Sequence, residues 1–326
     1  MSTHLSKPAA VARRIPPALV TAAAIGAALG AAYLLVQAKT ALVERSHPPM
    51  GKFIEVDGVR LHYLERGSGP AIVLLHGNGV MADDFQFSGL LDRLAATHHV
   101  IAFDRPGFGY SERPDTTEWT PEAQAALLQR ALTMLDVTGP IVVGHSWGTL
   151  VALAMALDHP ADVSAIALLG GYYYPSLRVD AFLNALANAP VIGTLWRYTA
   201  APLLGRLLWP AMSKHIFAPA AVPARFGQLP PWMALRPAQL QATAAENGLM
   251  VPAARRLCKR YGELTMPVAL VAGLGDKLIA PEQNTGRLHK ELVHSDLSLP
   301  GGAGHMVHYS KIDQVVDAIA RLSRRA

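Results

Sequence analysis

From Ala18 to Val36 the chain runs for 19 residues without a charge, long enough as a helix to cross the hydrocarbon core of a bilayer. Lys7, Arg13 and Arg14 precede this stretch and Lys39 follows it. Because Lys and Arg favour the cytoplasmic side, the pattern predicts a single-pass anchor over 18–36, with residues 1–17 cytoplasmic and the rest periplasmic or otherwise extracytoplasmic. A cleaved signal segment is the competing expectation: Val36-Gln37-Ala38 ends in a small residue, and cleavage there would release a secreted protein. Gly26 and Gly30 form a GxxxG pair of the kind that lets helices associate. His47-Pro48-Pro49 breaks any helix, so 37–50 reads as a linker.

Beyond the linker the period changes. Lys52 to Val56 and Val59 to Glu65 alternate around Asp57-Gly58, a dipeptide suited to a tight hairpin. Ala71 to Leu75 is a short continuous apolar run, as expected of a strand covered on both faces. His99–Phe103, Ile141–Val143, Ala165–Leu169, Val268–Val271 and Leu297–Leu299 repeat that character. Between most of them lie helical stretches such as Pro121 to Leu135, with Thr120 as cap and Pro121 in the first turn, and a final helix from Tyr309 to Leu322. Strands alternating with helices imply an α/β fold with a mostly parallel sheet covered on both faces. From 172 to 262 the rhythm gives way to Leu-, Ala- and Pro-rich helical pieces carrying Trp196, Trp209 and Trp232. This segment reads as a helical cap inserted between core segments 51–171 and 263–326.

At 326 residues and 51% hydrophobic content the chain suits one large domain with an insertion. The net charge of +5 is unevenly spread: residues 175–262 hold ten basic residues against Asp180 and Glu246. A basic cap with no interleaved aromatic run fits an anionic substrate or lipid surface, or a solvated face, better than nucleic acid. The lone cysteine, Cys258, rules out an intramolecular disulfide or a CxxC metal site and is expected to be a small buried hydrophobe. No dinucleotide fingerprint is present, since Gly107-Phe108-Gly109 lacks the third glycine and the helix placement, and neither cofactor nor metal is expected. The oligomeric state is not legible.

Ile141-Val142-Val143-Gly144-His145-Ser146-Trp147-Gly148 is a buried strand running into G-x-S-x-G, with a helical run from Thr149 to Leu157 behind it. A serine at so sharp a turn needs flanking residues without side chains, which accounts for Gly144 and Gly148. The helix N-terminus behind Ser146 favours developing negative charge.

On these residues the chain from Gly51 onward resembles the α/β-hydrolase superfamily, which implies a mostly parallel eight-stranded sheet and a Ser, Asp, His order of catalytic residues. His76-Gly77-Asn78-Gly79 looks like the oxyanion loop of that family, making the main-chain N–H groups of Asn78 and Trp147 the implied donors. Asp104 to Ser111 resembles the structural D-x-x-G-x-G-x-S turn, which makes Asp104 a scaffold residue. Asp276, in a loop after a strand, is the implied acid, and His305, in Gly301-Gly302-Ala303-Gly304-His305, the implied base; His308 is the nearby rival.

The chemistry expected of Ser146, His305 and Asp276 is hydrolysis of an ester with an apolar acyl group through an acyl-enzyme. Perhydrolase (haloperoxidase-like) and C–C bond hydrolysis use the same three residues and remain alternatives. A non-catalytic membrane-bound binding protein is the alternative of a different class. Dehalogenation is disfavoured because it needs a carboxylate where Ser146 stands, although Asn78 and Trp147 together resemble a halide site. Proline iminopeptidase activity is disfavoured by the HGNG loop and the basic cap. The three cap tryptophans suit an apolar pocket or the cap's own core.

Overall fold

A computed structural model describes residues 16–178 and 189–325. The cytoplasmic segment expected over 1–17 lies almost wholly outside them. Eight strands form one sheet in the order β1-β2-β4-β3-β5-β6-β7-β8: β1 (Lys52–Val56), β2 (Val59–Arg66), β3 (Ala71–Leu75), β4 (His99–Phe103), β5 (Ile141–His145), β6 (Ala165–Leu169), β7 (Val268–Val271) and β8 (Ser295–Ser298). The hairpin β1–β2 and the β2–β4 pair are antiparallel, and every other pair is parallel.

Strands β3 to β7 read as near-continuous apolar runs because both faces are covered, whereas the edge strand β8 carries Ser, Asp, Leu and Ser and lies at Ser295–Ser298 rather than at the expected Leu297–Leu299. Val73 and Leu75 face one core, with Leu128, Leu132 and Leu150, while Ile72 and Leu74 face the other, with Leu91, Val315 and Ile319. This is the period-two alternation of a pleated strand buried twice. The long helices, in chain order, are α1 (Pro17–Ser46), α2 (Pro121–Met134), α3 (Gly148–Asp158), α4 (Ala200–Phe217), α5 (Pro237–Leu257) and α6 (Ile312–Ser323). Thr120 caps α2, its hydroxyl accepting from the Ala123 N–H.

Three further expectations need correction. The linker of 37–50 begins only at His47, because α1 continues to Ser46. Val36 and Val43, seven residues apart on one face, are buried, Tyr33 packs on Tyr198 at 6.1 Å, and Glu44 pairs with Arg236 at 2.9 Å. Tertiary packing against the cap therefore holds these turns helical where composition alone suggested a spacer. Cys258 is only partly buried, at the C-terminal end of α5. The final helix is split at Lys311 into Val307–Ser310 and α6. The cap's ends also belong to the core: Tyr172, Tyr173 and Tyr174 at one end, and Met250 to Leu257 of α5 at the other, join the cluster around α3.

One glycine shows how tightly the turn after β5 is built. A Cβ on Gly148 would overlap the backbone carbonyls of Leu75 and His76 at the end of β3. Backbone cannot swing aside like a side chain, so Gly148→Ala is expected to cost about 3 kcal/mol or more, read as a lower urea midpoint with an unchanged slope; an unaltered midpoint would contradict this packing.

Candidate active site

Ser146 follows β5 directly and takes a left-handed φ of 52°, rare for a residue with a side chain. Its N–H donates to Leu169 O at 2.8 Å, and its carbonyl accepts from the Thr149 N–H and the Thr149 hydroxyl. These bonds fix the turn and turn Oγ away from the sheet. His305 comes from the loop after β8. Its Nε2 lies 2.8 Å from Ser146 Oγ, and its Nδ1 lies 2.8 Å from Asp276 Oδ2. The other Asp276 oxygen accepts from the N–H groups of Leu278 and Ile279. A carboxylate on Nδ1 holds the proton there and leaves the Nε2 lone pair facing the serine. Both Asp276 and His305 are buried.

The His305 main chain is gripped from two sides. Its N–H donates to Ile216 O at the end of α4, at 2.9 Å, and its carbonyl accepts from His145 Nε2 at 3.2 Å. A Cβ on Gly304 would overlap the Ala218 carbonyl, so glycine is what lets the cap chain cross the histidine loop so closely.

Ser146 and His305 open into a cavity of about 570 Å³, with Asp276 buried behind His305. Its walls are mainly apolar, with Trp196, Leu204, Leu208, Trp209 and Met212 from the cap, while Asn78 and Trp147 stand beside Ser146. The side chains of these two are engaged with α5: Asn78 Nδ2 donates to Thr243 O and Asn247 Oδ1, and Trp147 Nε1 donates to Glu246 O at 3.1 Å. Among the described residues, neither main-chain N–H donates to a backbone acceptor.

Asp104 is a scaffold residue here. It accepts from His62 Nδ1 at 2.7 Å and from the N–H groups of Ala82 and Tyr110. Burial opposes its ionisation, yet the His62 hydrogen bond and charge hold its carboxyl below the usual range. His308 does not reach the serine. Its Nε2 bonds Asp84 Oδ2 at 2.8 Å, and the Tyr309 hydroxyl bonds the other Asp84 oxygen. Asp84, His145 and His308 each bring a possible metal-ligating atom within 4.8 Å of the others. With Asp84 already satisfied on both oxygens, the group reads as a buried brace beneath the His305 loop.

Sequence reasoning missed the Arg105–Glu246 pair. Both are fully buried: Arg105 Nη2 donates to Glu246 Oε2 at 3.0 Å and Nη1 to Glu246 Oε1. Gln124 Nε2 donates to the same carboxylate. The available signal was that Glu246 stands almost alone among the basic residues of the cap.

The family comparison accords with this architecture. Residues 70–312 match the model of the alpha/beta hydrolase fold, and the chain belongs to that family of hydrolases. Haloalkane dehalogenase 2 of Mycobacterium tuberculosis is 26% identical over 282 residues, covering 84% of this chain and 94% of the relative. The 2-hydroxymuconate semialdehyde hydrolase of Pseudomonas putida is 35% identical over 126 residues, 38% of this chain and 44% of that protein. A bacterial membrane phospholipase A superposes with a TM-score of 0.64 at 22% identity, over 95% of this chain and 97% of its own.

Directly after β3, the His76 Nε2 accepts the Arg105 N–H and its Nδ1 donates to Gly77 O, an arrangement that requires neutral imidazole. Burial, and then the Arg105 charge, push its pKa down to about 3 from an ordinary 6.5. Burial, with His308 and His305 nearby, likewise holds His145 well below its ordinary value. Below the ordinary value the unfolded chain takes up protons that the folded chain refuses, so stability is present above it and is lost as pH falls toward the folded pKa. Thermal melts between about pH 7 and about pH 4 should show a falling midpoint; a midpoint that stays flat or rises over that window would contradict neutral His76 and His145.

Proposed function

We propose that this hydrolase is a serine esterase that cleaves the ester of an apolar acyl group and is held at a membrane by its N-terminal helix. The observation that carries the reading is the linked set Ser146 Oγ, His305 Nε2 and Asp276 Oδ2, with both gaps at 2.8 Å, opening into an apolar cavity. In the first step the Ser146 hydroxyl proton passes to His305 Nε2 while Oγ bonds the ester carbonyl carbon. The carbonyl oxygen takes the electron pair and is met by the Asn78 and Trp147 N–H groups. The tetrahedral adduct collapses, the alcohol leaves with the proton from His305, and an acyl-Ser146 remains. Water then repeats the sequence, His305 removing its proton, and frees the carboxylic acid.

The nucleophile speaks against the dehalogenase reading, since that reaction displaces halide with a carboxylate, and the Trp147 Nε1 that would meet a halide already donates to Glu246 O. C–C bond hydrolysis is the second reading, favoured by the 35% identity to the semialdehyde hydrolase over part of the chain. For the membrane attachment, α1 has 30 residues and a mean hydropathy of 2.1 over its most apolar window, roughly 45 Å of helix at 1.5 Å per residue. Lys7, Arg13 and Arg14 before it favour a cytoplasmic N-terminus. The fold similarity to a membrane phospholipase A extends over nearly the whole chain. Because Val43 packs with Phe217 and Met306, the full chain in detergent micelles is the form to assay, rather than a truncation after the helix.

The test is turnover of p-nitrophenyl esters of increasing acyl length. Ser146→Ala, His305→Ala and Asp276→Asn should each lower kcat by about 10⁴-fold. Full activity in any one variant would remove that residue from the proposed roles. Turnover confined to a vinylogous diketone, with every ester inert, would favour C–C cleavage.

A further inference from the structure

The Gly77–Asn78 peptide carries the N–H that the esterase reading assigns to the oxyanion. Across a trans peptide the carbonyl of one residue and the N–H of the next point in opposite directions, and among the described residues the single cis bond lies elsewhere, at Ala218-Pro219. Whatever holds the Gly77 carbonyl therefore aims the Asn78 N–H. That carbonyl accepts from Arg105 Nη2 at 3.2 Å and from His76 Nδ1 at 2.7 Å. Arg105 Nε also donates to His76 O at 2.9 Å, so one guanidinium holds two successive carbonyls of the loop.

Arg105 is held in turn by the cap. Glu246 on α5 takes two of its N–H groups, with both side chains fully buried. The guanidinium carbon lies 4.8 Å from the centre of the Trp147 ring, and the Glu246 carbonyl takes the Trp147 Nε1–H. Asn78 Nδ2 bonds the same helix through Thr243 O and Asn247 Oδ1. The side chains of both donor residues are thus anchored to one stretch of α5.

We propose that Arg105 and Glu246 are positioning residues that let the cap set the oxyanion donors. The inference rests on the esterase reading. Glu246 orients the guanidinium, the guanidinium holds the His76 and Gly77 carbonyls, and the Gly77 carbonyl so held aims the Asn78 N–H at the place where negative charge develops. A fork of donors is required, because a point charge at Arg105 cannot hold Glu246 and two carbonyls together.

The test uses the full chain in micelles with Glu246→Gln, which keeps the side-chain shape, and Arg105→Lys, which keeps the buried charge pair. Each folded variant should lose at least about tenfold in kcat, with KM within about threefold of the parent. Affinity for a trifluoromethyl ketone, which forms a tetrahedral oxyanion on serine, should fall by the same factor as kcat. Affinity for the corresponding carbinol, which forms no oxyanion, should stay unchanged. Equal loss for ketone and carbinol would reduce the pair to a structural role and overturn the proposal, as would folded variants with parental kcat and ketone affinity. A parent chain inert to esters and ketone alike would sink the esterase reading and this inference with it, whereas an active parent beside equally active variants would sink the inference alone.

Discussion

Ser146 at φ 52° is the constraint around which this molecule is arranged. A side-chain-bearing residue adopts that backbone only when its surroundings over-determine it, and here they do. The bond from its N–H to Leu169 ties it to β6, and Thr149 ties its carbonyl into α3. A Cβ on Gly144 would fall 2.6 Å from the Gly148 carbonyl, so the turn cannot be loosened at one end without collision at the other. The reward is a hydroxyl raised clear of the sheet with a helix N-terminus at its back, where developing negative charge is favoured.

Around that turn the cap is part of the site's construction as well as its cover. Ile216 accepts the N–H of His305, Glu246 grips Arg105 beneath the HGNG loop, and the ring of Trp147 is tethered to the Glu246 carbonyl. The His305 loop, the HGNG loop and the Ser146 turn each therefore have a partner on the insertion. Removing one member of a buried pair such as Arg105–Glu246 leaves the other charge stranded away from water, which ties integrity of the site to correct docking of the cap.

The parts legible in the sequence are those with local signals. Continuous apolar runs marked the parallel strands β3 to β7, and the strand, glycine, serine, glycine, helix order marked Ser146. Small-residue loops after strands pointed to Asp276 and His305, and these three residues do meet in space. What escaped was long-range pairing between polar groups. Arg105 and Glu246 are separated by 141 positions and Asp84 and His308 by 224, and a buried pair at such spacing has no period to betray it. The lower turns of α1 escaped for a related reason: Lys39, Thr40 and Glu44 look like spacer residues until the cap is there to pack against Val36 and Val43.

The central claim is that Ser146 forms a covalent bond to the acyl group during turnover. Rapid acid quench during hydrolysis of a p-nitrophenyl ester, followed by peptide mass mapping, reads that bond directly. The account predicts the acyl mass on the peptide containing Ser146, appearing together with the first release of p-nitrophenol. An acyl group mapped to a different residue, or continued turnover by Ser146→Ala at the parental rate, would contradict it.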